Sequence, residues 1–285
     1  MRLGVHTSIA GSLTHSVESA NELGCTSFQI FSANPRNWRP SRIDPAQLRE
    51  FQRLREVHDL YPLAIHCNYL INLASGDPRV RTGSITAFRG ELERGIAIGA
   101  EYLVLHPGSA RGGDRKVAVQ NVIDGLEESA RGLPLGHLTI LIENTAGQGS
   151  CLGCDLQEVA ELVRRPNLPM ACCLDTAHSF AAGFDLSTPQ GVQTWTVAVE
   201  ATIGWDSVPL IHANDSRAPL GSRRDRHEHI GKGGIGRAGF RALVNHERLR
   251  DKAFILETPI DEDGDDHRNL QVIRKLRTKH AGKAI

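Results

Sequence analysis

The chain has no excess of charge. Its 285 residues hold 33 Lys and Arg against 33 Asp and Glu, a formal net charge of zero. Such a chain exerts no overall pull on nucleic acid or on an anionic membrane, so anion binding must come from local clusters. No apolar run reaches the ~18 residues of a membrane span. The N-terminal stretch MRLGVHTSIAGS lacks the apolar centre of a signal peptide, which leads to the expectation of a cytoplasmic protein without a membrane partner. The same stretch has no glycine-rich phosphate fingerprint, which argues against a doubly wound open sheet. One CxxC is present, Cys151 and Cys154, without the second pair or spaced histidines of a structural zinc site. The six cysteines therefore read as free thiols, with Cys172 and Cys173 as core packing. No linker or low-complexity stretch divides the chain, so residues 1–285 read as a single domain, and a monomer is expected.

What is present is an alternation. Short β-rich runs (Leu3–His6, Ser27–Phe31, Leu63–His66, Tyr102–His106, Leu138–Glu143, Ala171–Asp175, Val208–His212 and Ala253–Glu257) are separated by longer amphipathic runs. In Pro45–His58, for example, Leu48, Phe51, Leu54 and Val57 recur at helical spacing behind a first-turn proline. Eight strand–helix pairs in a chain near ~250 residues predict an α/β fold, a parallel (βα)8 TIM barrel. In that fold the site lies at the C-terminal ends of the strands, among the loops that follow them. The long polar loops after the second, third and seventh runs suit a large substrate.

The last residues of those runs are the signal. The third to eighth end in His66, His106, Glu143, Asp175, His212 and Glu257. His178 follows Asp175 by three positions, and Asp225 and His227 lie in the loop after His212. A lone strand-end histidine is usually a satisfied hydrogen-bonding residue. Four carboxylates converging in one bowl are different, because each uncompensated buried charge costs on the order of several kcal/mol. Cations remove that cost. Imidazole and carboxylate suit zinc, and manganese or iron also fit. Nine ligands exceed one four-coordinate ion and suit two or three ions with a bridging carboxylate. Such a centre keeps net positive charge, favours a phosphate, and supplies an activated water at neutral pH. Phosphodiester hydrolysis fits these points. A metal-dependent sugar isomerase or epimerase on a related barrel is the alternative enzyme, and a silent damage-binding protein the alternative from another class.

The blocks HCNYLINLA, LHPGS, LIENTAGQGS, LPMACCLDTAHSFAAGFD and RRDRHEHIGKGGIG run in order along the chain. Together they resemble the signature blocks of the endonuclease IV family of apurinic/apyrimidinic endonucleases. The resemblance implies a βα barrel with three Zn2+ ions, or Mn2+ or Fe2+ as substitutes. It implies DNA-repair incision 5′ to an abasic site in double-stranded DNA, leaving a 3′-hydroxyl, and removal of 3′-blocking groups. By motif position, His66 and His106 would hold one ion, and Glu143 would bridge it to a second completed by Asp175, His212 and Glu257. His178, Asp225 and His227 would hold the third. Glu143 is the position on which catalysis would depend. Ala177 stands where the family's DTxH block commonly has Cys, which leaves the ligand set intact.

The loop SANPRNWRPSR mixes Arg36, Arg39 and Arg42 with Trp38. Bases interleaved with an aromatic suit phosphate contacts and insertion into a base stack. A solvated loop with Trp38 on the barrel rim is the alternative. The resemblance implies that Arg36 intercalates, and that Tyr69 and Leu70 fill the gap left by a flipped nucleotide. Packing of an ordered loop would also explain that pair. Arg223, Arg224 and Lys232 read as a rim facing DNA. His6 matches no ligand of the family. His229 and the acidic stretch from Asp261 to Asp266 are expected at the surface.

Overall fold

The structure is a computed structural model that describes residues 1–34 and 43–278. Arg36, Trp38, Arg39 and Arg42 lie outside the described residues. Eight parallel strands form the expected barrel: β1 (Arg2–Val5), β2 (Phe28–Phe31), β3 (Leu63–His66), β4 (Tyr102–Leu105), β5 (Thr139–Glu143), β6 (Met170–Asp175), β7 (Leu210–His212) and β8 (Ala253–Leu256). From β2 to β8 each strand pairs with the next in sequence, and β8 pairs with β1. Between β1 and β2 the ring closes through one bridge, His6 with Gln29, where Thr7 N donates to the Gln29 carbonyl at 2.8 Å. Gly4 permits that closure, since a Cβ there would lie 1.8 Å from the Ser27 carbonyl oxygen.

The helices are α1 (Leu13–Glu22), α2 (Pro45–Val57), α3 (Pro78–Ile98), α4 (Arg115–Ala130), α5 (Leu156–Arg164), α6 (Pro189–Thr202), α7 (Gly236–Asn245) and α8 (Asp265–Leu276). Their starts are written in the sequence. Asp44, Asp77, Asp114 and Asp155 each accept a first-turn N–H, and α2, α3 and α6 carry proline in the first turn. Two apolar cores result. Ala64, Val104, Leu141, Cys173, Leu210 and Ile255 fill the barrel interior. Phe28, Phe51, Phe88, Trp195 and Phe254 pack the helices onto its outside. A strand buried on both faces reads as a continuous apolar run, which is why these strands are visible in the sequence.

Three details differ from expectation. β1, β4 and β8 stop one residue early, so His6, His106 and Glu257 sit just past their strands while His66, Glu143, Asp175 and His212 end theirs. A seven-residue helix, Thr176–Ala182, follows β6 directly. A two-residue hairpin pairs Asp215–Ser216 with His227–Glu228. Both added elements are shorter than the window over which periodicity is informative.

Candidate metal centre

The strand ends converge as the sequence required. His66, His106 and Glu143 offer ligand atoms within 4.8 Å of one another, as do Glu143, Asp175, His212 and Glu257, and Asp175, His178 and His227. Glu143 belongs to the first two groups and Asp175 to the last two, so two buried carboxylates link all three. Asp225 stands at the mouth of the third group, with Oδ2 3.2 Å from His178 Nε2 and Oδ1 3.4 Å from His227 Nε2. All nine residues singled out in the sequence are therefore contiguous, and Asp175 gains a second neighbourhood that motif reading did not give it. A cavity of about 400 Å³ opens over them, lined also by His6, Phe31 and Tyr69.

Hydrogen bonding tests whether this set fits a metal. His66 Nδ1 lies 2.8 Å from the Cys67 carbonyl, His178 Nδ1 2.9 Å from that of Asn144, and His227 Nδ1 3.0 Å from that of Glu257. A carbonyl only accepts, so each Nδ1 carries the proton and each Nε2 turns inward. There the partners are carboxylates: His66 Nε2 is 3.2 Å and His106 Nε2 3.0 Å from Glu143 Oε2. His212 Nδ1 lies 3.0 Å from Glu143 Oε1 and 3.1 Å from Glu257 Oε2. His227 Nε2 is buried without a hydrogen-bond partner. An imidazole lone pair aimed at a carboxylate repels it unless a cation lies between. Metal-ligating histidines characteristically donate their other ring N–H in this way. The residues fit a multinuclear site of nitrogen and oxygen donors.

The titration behaviour has the same origin. Burial opposes the charge on Glu143, yet His106 and His212 hold its carboxyl well below the usual range. Burial likewise opposes charge on His212, but Cys173, Glu257 and Glu143 raise it well above an ordinary histidine. His178 is raised against burial by Asp175, Asp225 and Glu143. Asp225, despite partial desolvation, is lowered to about 2 by His178 and His227. Without a metal, protons neutralise this cluster. A divalent ion would take their place and release them.

Three further residues support the site, of which the sequence pointed only to Asn144, beside Glu143. Asn144 accepts from Asp175 N at 2.6 Å and donates to Ser179 Oγ at 3.1 Å. Asn214 donates to Asp175 Oδ2 at 2.6 Å and accepts from Glu257 N at 2.7 Å. Gln29, on β2, touches His6, His212 and Glu257. Asn214 lies two residues past a ligand, which is the cue that would have found it. Gln29 sits on a strand with no ligand.

The rim is built differently. Tyr69 is 71% exposed and its ring packs edge-on to Phe31 at 5.3 Å, while Leu70 lines an adjoining cavity of about 420 Å³. Arg223 and Arg224 join Arg217 and Arg226 around a cavity of about 720 Å³ beside Gly147 and Gly149. Lys232 is not part of that cluster; it lines a separate cavity with Arg237 and Arg268. Asp215 gathers the end of the loop. Its carboxylate accepts N–H groups from Ser216, Gly231, Gly233, Ile235 and Gly236. A Cβ on Gly233 would lie 2.5 Å from Asp215 Oδ1, so the GKGGIG block is what lets the backbone wrap the carboxylate. His229 corrects its surface expectation: it is 8% exposed, held by Asn269 at 3.1 Å and Asp261 at 3.3 Å. The acidic stretch is exposed from Asp261 to Asp263, as expected, but Asp265 is buried and accepts from Asp261 N and Glu262 N at the start of α8.

A βα barrel whose strand ends carry linked His, Asp and Glu clusters defines a metal-dependent enzyme of the isomerase-like barrel class. Residues 17–278 match the family described as xylose isomerase-like TIM barrel. The chain is 50% identical over 280 residues to a probable endonuclease 4 of Solibacter usitatus, covering 97% of both chains. It is 39% identical to that of Natranaerobius thermophilus, over 98% of this chain and 99% of the relative. The solved endonuclease IV from Thermus thermophilus superposes with a TM-score of 0.86 at 38% identity, over 97% and 98% of the two chains. A D-tagatose 3-epimerase-like protein shares the fold at 20% identity and a TM-score of 0.73, over 97% of both chains. The chain belongs to the endonuclease IV family.

Proposed function

We propose that this protein is a DNA-repair endonuclease that hydrolyses the phosphodiester 5′ to abasic sites in double-stranded DNA. The products are a 3′-hydroxyl and, at damaged 3′ ends, an unblocked terminus. The observation that carries the reading is the linked set of ligand groups at the strand ends, in a chain whose relatives are endonucleases. Three Zn2+ ions are the resident metals we infer, with Mn2+ and Fe2+ as chemically suited substitutes. His66, His106 and Glu143 would hold the first ion. Glu143, Asp175, His212 and Glu257 would hold the second, and His178, Asp225 and His227, with Asp175 alongside, the third. Bound divalent ions supply an activated water near neutral pH and stabilise charge on the phosphate oxygens.

The chain's own residues do the rest. Asn144 and Asn214 fix Asp175, while backbone carbonyls fix the rings of His66, His178 and His227. Tyr69 and Leu70, beside the bowl, fill the space vacated by a flipped nucleotide, a step that costs on the order of a few kcal/mol and least at a damaged position. Arg36 inserts into the stack. Arg223 and Arg224 hold the backbone phosphates, and Lys232 touches DNA farther along the rim. The protein acts as a single-domain monomer in the cytoplasm. The sugar-isomerase alternative is weaker, because the epimerase-like likeness extends to the fold alone and leaves the arginine-rich rim unused.

The test is incision of a duplex carrying one abasic site by metal-replete protein. We expect one cut, 5′ to the lesion, with a primer-competent 3′ end. Absence of any cut, or turnover of a ketose instead, would sink the reading.

A further inference from the structure

Three of the ligand histidines owe their orientation to the main chain. His66, His178 and His227 each give Nδ1–H to a backbone carbonyl and turn Nε2 inward. His212 is reversed. Its Nδ1 faces Glu143 and Glu257, and its Nε2 meets a side chain, Gln29 Oε1, at 2.9 Å. We propose that Gln29 sets the tautomer of His212, and so is the positioning residue that makes the barrel-floor group a metal site. The inference rests on the metal centre set out under Proposed function.

The direction of the Gln29 amide is fixed by its neighbours. Its far end lies 2.6 Å from Glu257 Oε1, and a carboxylate only accepts, so the NH2 must be there. The second hydrogen of that NH2 points to His6 Nδ1 at 3.0 Å. Oε1 is then the end that meets His212, and it can only accept. The His212 proton is held on Nε2, which leaves the Nδ1 lone pair as the donor that faces a metal between the two carboxylates. One fully buried amide thus holds two ligands of the same group, orienting the ring of His212 and a carboxylate oxygen of Glu257. Its own place is set by the seam of the barrel, where Gln29 bridges His6 and takes the N–H of Thr7. A merely space-filling glutamine would have no bearing on where the imidazole proton sits.

Two measurements decide the matter. The first is the nitrogen–proton correlation spectrum of the histidine rings in zinc-loaded, 15N-labelled wild type. We expect His66, His178 and His227 to carry their proton on Nδ1, and His212 to carry it on Nε2. A His212 proton on Nδ1 overturns the proposal. The second is retention of metal against increasing chelator, counted ion by ion in wild type and in Gln29→Met, which keeps the bulk and removes both polar ends. We expect one ion to leave the variant at about 10- to 100-fold lower chelator concentration, the others unchanged. Equal retention of every ion, or equal weakening of all ions together with a lower melting temperature, overturns it. Should Gln29→Met fail to fold, the wild-type tautomer decides alone. Wild type that retains no ion under any condition overturns the metal centre itself, a failure distinct from a wild type that loads fully with the opposite tautomer.

Discussion

The floor and the rim of the bowl hold the same kinds of side chain by opposite means. On the floor, Glu143, Asp175 and His212 are fully buried and end strands that also pack the barrel interior. Asp175 and His212 have partners from neighbouring elements: Asp175 from Asn144 and Asn214, His212 from Gln29. At the rim, the Asp225 side chain is 45% exposed and rides on a loop whose end is gathered by the Asp215 carboxylate, with further ties from Arg223 N to the Ala181 carbonyl and from His227 Nδ1 to that of Glu257. The floor is over-determined, so its geometry survives loss of any one contact outside the ligands and their direct supports. The rim is the more exposed of the two. It can adapt to a large substrate, and it should fail first.

The largest break of that contrast is at the carboxylate that two groups share. Glu143→Gln should lower incision by about 10³-fold or more and cost the two ions it links, as counted by native mass spectrometry. Retention of all ions with near-normal incision would remove Glu143 from its role. A rim ligand should behave more locally: Asp225→Asn should lose one ion of the set, keep the rest, and cut incision by about 10²-fold. Equal loss of floor ions would show that floor and rim are not separable.

How much of this was legible follows the same division. His66, Glu143, Asp175 and His212 were readable because buried parallel strands are continuous apolar runs, and a polar residue closing each run stands out. Asp225 and His227 stood out as an acid and an imidazole two residues apart in the loop after His212, but their grouping with His178 came by resemblance, because nothing periodic in a Gly- and Arg-rich loop fixes where it folds back. Asp215 and Gln29 were silent for a different reason. Their roles come from partners far away in sequence, such as Gly233 and Glu257, which only the closed barrel brings near. The burial of His229 was missed likewise, since Asn269 and Asp261 come from the far end of the chain.

Smaller perturbations sharpen the contrast without removing a ligand. Asp215→Ala leaves several N–H groups of the rim loop without an acceptor and should cost about 2–3 kcal/mol by denaturant titration. It should impair the outer ion and spare the floor ions; unchanged stability would mean the loop is held by something else. Arg223→Ala should weaken binding to abasic duplex and lower the salt dependence by about one charge, with metal content unchanged. The smallest effect is at Asp265, lowered to about 2 by the N–H of Glu262 and by Arg268. A carboxyl depressed on folding stabilises above its ordinary value of 3.8, and that stability is lost as pH falls toward 2. Asp265→Asn should therefore melt slightly below wild type at neutral pH, and the gap should close on acidification; a gap independent of pH would contradict the assignment.

The most direct test is the metal count of wild type beside that of Asp225→Asn, each loaded with zinc and read by native mass spectrometry. The account predicts three ions in wild type and two in the variant, with the floor groups still filled. A wild type holding one ion or none, or a variant that empties completely, would contradict it.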